Sequence, residues 1–231
     1  MNSFDPQIIW DATTNRFYYV MDAVFSSTDN RLAFGFSKTA DPGNVTTDWC
    51  HYTLGRGATF PDFPKLGDSK FFIIIGVNNF LTSAEGARSF IDSQIIAISK
   101  PPFGTSCPEG STLKTTLSAA LRDSNGALVF TPVPANQIDT NAIGYVVARN
   151  GSTPSDKLWF FSVTSGAAGH AEVGPARGVT VSSYEIPASA SQPRVTQVLD
   201  TSDTRNTQAV QPKIPVSASS RSGPSTPSRA G

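Results

Sequence analysis

The chain has 231 residues, with 18 Lys+Arg against 18 Asp+Glu, a formal charge of zero and a pI near 6.7. That balance argues against a nucleic-acid or anionic-membrane surface, which needs a basic excess to neutralise phosphates. With 16% charged residues, 15 Phe, 18 Gly and 17 Pro, the composition is that of a turn-rich, aromatic-rich β protein rather than a helical bundle, a coiled coil or a fully disordered chain.

The first six residues have neither a basic region nor an apolar one, so no signal peptide is read there. Residues 16–25 are rich in aromatic and β-branched side chains and follow a polar turn at 11–15. Residues 31–37 alternate large apolar with small or polar positions, the period-2 pattern of a half-buried strand. The polar stretch 26–30 between them has hairpin composition. A third short strand is expected at 48–53. Residues 70–77 form a continuous apolar run of strand length, expected to be covered on both faces. It is too short to span a membrane, which takes ~20 apolar residues in a helix. Further strands are expected at 93–99, 116–121, 127–130, 143–148, 157–163 and 178–184. No helix longer than a turn or two is apparent. Similar units begin near Ile8, Lys70 and Ile143, with a weaker one near Thr115. This loose repeat favours a β-propeller of about four blades, with a sandwich as the alternative on pattern alone.

Several blocks carry a resemblance. Asp5-Pro6-Gln7-Ile8-Ile9-Trp10-Asp11 followed by Asn15-Arg16-Phe17, Ser37 to Pro42 followed by Trp49-Cys50-His51-Tyr52, Phe60-Pro61-Asp62-Phe63-Pro64-Lys65-Leu66-Gly67 followed by Asn78-Asn79-Phe80, and 199–210 are similar to blocks of sialidase-like (BNR-type) β-propellers. The resemblance spans about residues 5–210. It implies a propeller at 1–205, an extracellular location, and a module that binds glycan or protein without catalysis. A glycoside hydrolase of the same fold is the alternative. Thr39-x-Asp41-x-Gly43 resembles an Asp box, in which the Asp accepts backbone N–H groups and Gly takes a positive φ; Trp49 stands in for the blade-plugging aromatic.

Asp62 is the best single candidate for a catalytic carboxylate, because Pro61 and Pro64 are expected to fix it in a loop between blades. The plainer reading is that Asp62 caps that turn and that Lys65 is solvated or paired with it. Asp62, Lys65, Asn78 and Trp49 are the candidate binding residues; an exposed Trp at a propeller rim can stack on sugar rings. The Arg-Ile-Pro signature of sialidases is absent, and Tyr184-Glu185 would point to opposite faces of a strand. His51 and His170 lack converging ligands, so neither a metal nor a cofactor is expected. Cys50 and Cys107 are expected to be unbridged, with a bridge between neighbouring blades as the alternative. Residues 206–231, rich in Ser, Pro and Arg, are expected to be disordered. The whole is read as a fragment forming an open arc of blades.

Overall fold

A computed structural model of the protein describes residues 2–101, 106–194, 196–199 and 209–211. It is all-β; among the described residues the helical content is two single turns of 3-10 helix, at Gly110–Thr112 and Ala167–Gly169. Sheet I is a meander of β1 (Asn2–Asp11), β2 (Arg16–Ser26), β3 (Asp29–Ser37) and β4 (Trp49–Gly57). Sheet II repeats the plan with β5 (Thr59–Asp68), β6 (Phe72–Thr82), β7 (Arg88–Ser99) and β8 (Thr115–Leu117). Sheet III joins β9 (Val129–Gln137), β10 (Gly144–Asn150) and β11 (Ser155–Ser165), with β12 (Ala171–Val173) and β13 (Arg177–Tyr184) sharing the outer edge of β11. A small pair, β14 (Ala190–Ser191) and β15 (Val198–Leu199), follows. Finally β16 (Ala209–Gln211) runs parallel to β9 on its free edge. Those three residues form a strand inside the stretch expected to be disordered; the rest of 206–231 lies outside the described residues.

Sheet II is the middle layer, and its sequence dictates this. Strand periodicity sends Ile73, Ile75 and Val77 to one face of β6, where they join Tyr18, Val20, Leu32 and Phe36 of sheet I in one core. Phe72 and Ile74 point the other way, into a second core with Val146, Ala148, Trp159 and Phe161 of sheet III. The expectation that the apolar run at 70–77 is covered on both faces is met from Phe72 to Val77, while Lys70 and Phe71 are exposed. Glycine lets the layers close: a Cβ on Gly76 would lie 2.0 Å from the Pro132 carbonyl oxygen of β9.

The first strand of each sheet carries the same irregularity. In β1, β5 and β9 the register slips by one: Phe4 pairs with Asp22 and then Gln7 with Val20, Asp62 with Asn78 and then Lys65 with Gly76, Arg149 with Phe130 and then Val147 with Val133. The two residues bulged out are in each case an X-Pro pair: Asp5-Pro6, Phe63-Pro64 and Thr131-Pro132, with φ of 48°, 55° and 53° at the first residue. A bulge is where a strand can absorb a proline, which has no N–H for the ladder. The expected loop around Asp62 is therefore corrected. Its prolines sit in a bulged strand between two sheets.

At their other ends the same strands meet one ammonium. Lys100 Nζ lies 2.6 Å from Asp11 of β1 and 2.8 Å from Asp68 of β5, with all three side chains at most 4% exposed. Gln137, the last residue of β9, donates from Nε2 to Asp68 at 2.8 Å.

Cys50 and Cys107 are bridged, with Cα atoms 5.4 Å apart, against the expectation. The segment after β7 doubles back across sheet I, where Tyr52 Oη donates to the Pro108 carbonyl at 2.7 Å, and this brings Cys107 onto β4. The bridge thus ties sheet I to sheet II. The Asp-box expectation is also corrected. Near Gly43 it is Asp48 that accepts N–H bonds, from Gly43 and Asn44. The expected geometry occurs instead at Asp123, which accepts from Asn125 and Ala127 beside Gly126 at φ 85°.

Replacing Lys100 by Met should destabilise the fold by roughly 3–5 kcal/mol at neutral pH, since two buried carboxylates lose their counter-charge. The loss, read from urea midpoints, should shrink at pH 4. Gly76→Ala should cost roughly 1–3 kcal/mol by overpacking, with an unchanged denaturant slope.

Candidate functional site

Three carboxylates gather where β1, β2 and β5 meet, at the opposite end of the sheet I–sheet II interface from Lys100. One oxygen from each of Asp5, Asp22 and Asp62 lies within 4.8 Å of the others. They grade inward: Asp5 is exposed, Asp62 half-buried and Asp22 fully enclosed. Local sequence explains each position. Asp5 stands in the β1 bulge and Asp62 immediately before the β5 bulge. Asp22 continues the buried stripe Arg16, Tyr18, Val20 of β2, where period 2 would place an apolar residue.

Neither oxygen of Asp22 has a hydrogen-bond partner. Burial pushes its pKa up to about 9, with the charges of Asp62 and Asp5 adding to the rise and Arg88 opposing it. Asp11, in the Lys100 cluster, behaves differently. Burial pulls its pKa up, but Lys100 and bonds from Thr14 and Thr13 outweigh that and leave it lowered.

The register of the bulges makes Asp22, Asn78 and Arg149 equivalent positions on β2, β6 and β10. All three are buried. Asn78 Oδ1 accepts from the Thr131 amide of the next sheet at 2.8 Å and from Ser93 Oγ at 2.9 Å. Arg149 Nη1 donates to the backbone carbonyl of Asn150, and its guanidinium lies over the Phe130 ring.

The sequence-expected residues divide between two places. Asp62, Lys65 and Asn78 lie together around the β5 bulge. Lys65 is buried, its ammonium 3.6 Å from the centre of the Phe63 ring. It helps line a cavity of about 260 Å³ with Gln7, Ile9, Val133 and Asn136, between the three first strands. Trp49 is elsewhere, on the outer face of sheet I. There Trp10, Phe17, Trp49 and Tyr19 form a row with ring centres 4.7–6.4 Å apart. The row ends at His51, whose Nδ1 is 2.7 Å from Tyr19 Oη. An apolar depression of about 290 Å³ opens beside it, lined by Ile8, Met21, Ala33 and Val45 with Tyr19, Trp49 and His51. Trp10 is 44% and Ile8 61% exposed.

Asp5 and Asp22 were not singled out from sequence. The available signal for Asp22 was an acid at an inward position of an aromatic strand; for Asp5 it was the recurrence of X-Pro at the head of each sheet. Comparison with known proteins found no matching family model, no curated protein and no solved structure with significant similarity.

An acid with a raised folded pKa keeps its proton in the folded chain over a window in which the unfolded chain has lost it. Stability from Asp22 is thus complete below its unfolded pKa of ~3.9 and falls as pH rises towards 9. In metal-free buffer, Asp22→Asn should remove this fall, so that the variant gains on the parent in melting temperature from pH 5 to pH 9.

Proposed function

We propose that the three sheets are blades of a sialidase-like β-propeller and that the chain is a non-catalytic module that binds glycan outside the cell through the outer face of sheet I. The aromatic row of that face, half-buried at Phe17, Tyr19 and Trp49 and exposed at Trp10, is the observation that carries the reading. Indole and phenyl rings offer flat apolar surface to the C–H faces of sugars; at the end of the row His51 is held by the Val45 carbonyl and Tyr19, and the Tyr19 hydroxyl keeps acceptor capacity for a sugar hydroxyl. Propeller organisation is supported by the three meanders in succession, by the packing of β5 between β1 and β9, and by the X-Pro bulge repeated in each first strand. The Cys50–Cys107 bridge fits an oxidising compartment.

A second reading, a glycoside hydrolase, draws on the carboxylates around Asp62. A close pair suits a retaining mechanism, in which the carboxyl groups stand ~5–5.5 Å apart. Against it, Asp22 is completely enclosed and out of reach of a sugar.

On a glycan array the chain should retain a defined set of oligosaccharides and release them intact. Trp49→Ala and Trp10→Ala should each weaken binding by about tenfold, the loss of one stacking anchor of ~1–2 kcal/mol, with unchanged melting temperature. Retention of a protein partner with no glycan bound would move the reading to a protein-binding face. Loss of glycosidic bonds that disappears in Asp62→Asn would favour the hydrolase.

A further inference from the structure

The sheet I–sheet II interface contains a buried acid whose bonding is incomplete. At the equivalent position one sheet on, Asn78 satisfies its oxygen with an amide of the next sheet's bulge and a hydroxyl. Asp22 has no such donor on either oxygen. What faces it instead are Asp5 and Asp62, two further oxygen ligands of the same charge. Burying an acid among acids is unfavourable unless something positive joins them. Arg88 acts on Asp22 through its field, but makes no hydrogen bond that would saturate either oxygen.

We propose that Asp5, Asp22 and Asp62 hold a divalent cation of the calcium class, which clamps β1 and β2 of sheet I to β5 of sheet II. The spacing suits it. A Ca²⁺ ion bonds oxygen at ~2.3–2.6 Å, so ligands on opposite sides of one ion stand up to ~5 Å apart, and these three lie within 4.8 Å. An all-carboxylate donor set selects a hard cation over a thiolate- or imidazole-seeking one. The exposed carboxylate of Asp5 gives the ion a way in from solvent, and water can complete the coordination on that side. The role is structural, and it is independent of the aromatic face.

The test uses the full chain stripped with chelator and then titrated with CaCl₂, followed by calorimetry and thermal melting. A single site is expected, with an affinity on the order of 0.1–1 mM, as for extracellular calcium modules, and a melting temperature that climbs with calcium concentration. Asp62→Asn should weaken the binding by about tenfold or more, as should Asp5→Asn, since each removes a charged ligand. Asp22→Asn should abolish the calcium-dependent rise while melting higher than the parent in EDTA, because the buried unpaired acid is gone. That combination separates loss of the site from loss of the fold. Should Asp22→Asn fail to fold, the exposed Asp5 position carries the test. No heat and no melting shift in the parent at 10 mM calcium (about ten times the weakest expected dissociation constant) would overturn the proposal. So would a calcium response unchanged in Asp5→Asn and Asp62→Asn.

Discussion

Sheet II has to bury both of its faces, and the remainder of the architecture follows from that requirement. Its central strand β6 presents Ile73, Ile75 and Val77 to one side and Phe72 and Ile74 to the other, all at most 2% exposed. A strand with two apolar faces is stable only between two layers. Sheets I and III supply them, and each contributes the face that period 2 makes apolar. The layers approach closely enough that Gly76 has no room for a Cβ against Pro132. The order of the sheets along the chain then places β5 between β1 and β9, and these three strands bring the polar residues of the molecule together.

The bulges decide which residues those are. A proline inside a strand removes a ladder donor, and a bulge accommodates it by setting two residues against one. In each first strand the residue before the proline takes a positive φ. This is an unusual conformation before proline, which favours extended backbone. The surrounding sheets hold it there. Beside each bulge, paired with the residue just before it, the second strand carries a buried polar side chain, and the three positions differ in chemistry: a carboxylate in Asp22, an amide in Asn78, a guanidinium in Arg149. Asn78 and Arg149 find partners among backbone groups close by. Asp22 finds two more acids. The same scaffold position has become a structural tie twice and a charged cluster once.

Much of the fold was legible from alternation. The strands at 16–25, 31–37, 143–148 and 157–163 coincide with β2, β3, β10 and β11 to within two residues at each end, and 93–99 is the second half of β7, because each buries one face and exposes or shares the other. β5 was not legible, since Pro61 and Pro64 read as loop and only tertiary packing shows that the second of them lies in a bulge. The disulfide was hidden for a similar reason: nothing in the spacing of Cys50 and Cys107 reveals that the segment after β7 returns over β4. For the site, Asp62 stood out because prolines flank it. Its companions did not, since Asp5 arrives from another sheet across the register of β1, and Asp22 looks like an outward residue until the stripe of Tyr18 and Val20 is seen to be buried.

The two ends of the sheet I–sheet II interface solve one electrostatic problem in different ways. One takes Asp11 of β1 and Asp68 of β5 out of water, the other Asp22 of β2 beside the exposed Asp5 and the half-buried Asp62. At one end Lys100 supplies the counter-charge from the chain itself, and Gln137 adds a donor from the third sheet. Such a cluster is a poor source of stability, because desolvating three charges offsets most of their attraction and an apolar filling would serve as well or better. Its effect is on register. If β1 slipped by one residue, Ile9 would turn outward and Asp11 would leave Lys100, so the misaligned state would keep Asp68 as the ammonium's one remaining carboxylate and lose half of its compensation. The opposite end has the same leverage only if the enclosed Asp22 is also compensated. With Asp5, Asp22 and Asp62 sharing one cation, β1 would be pinned against β5 at both ends, and the apolar core between them would have a single alignment.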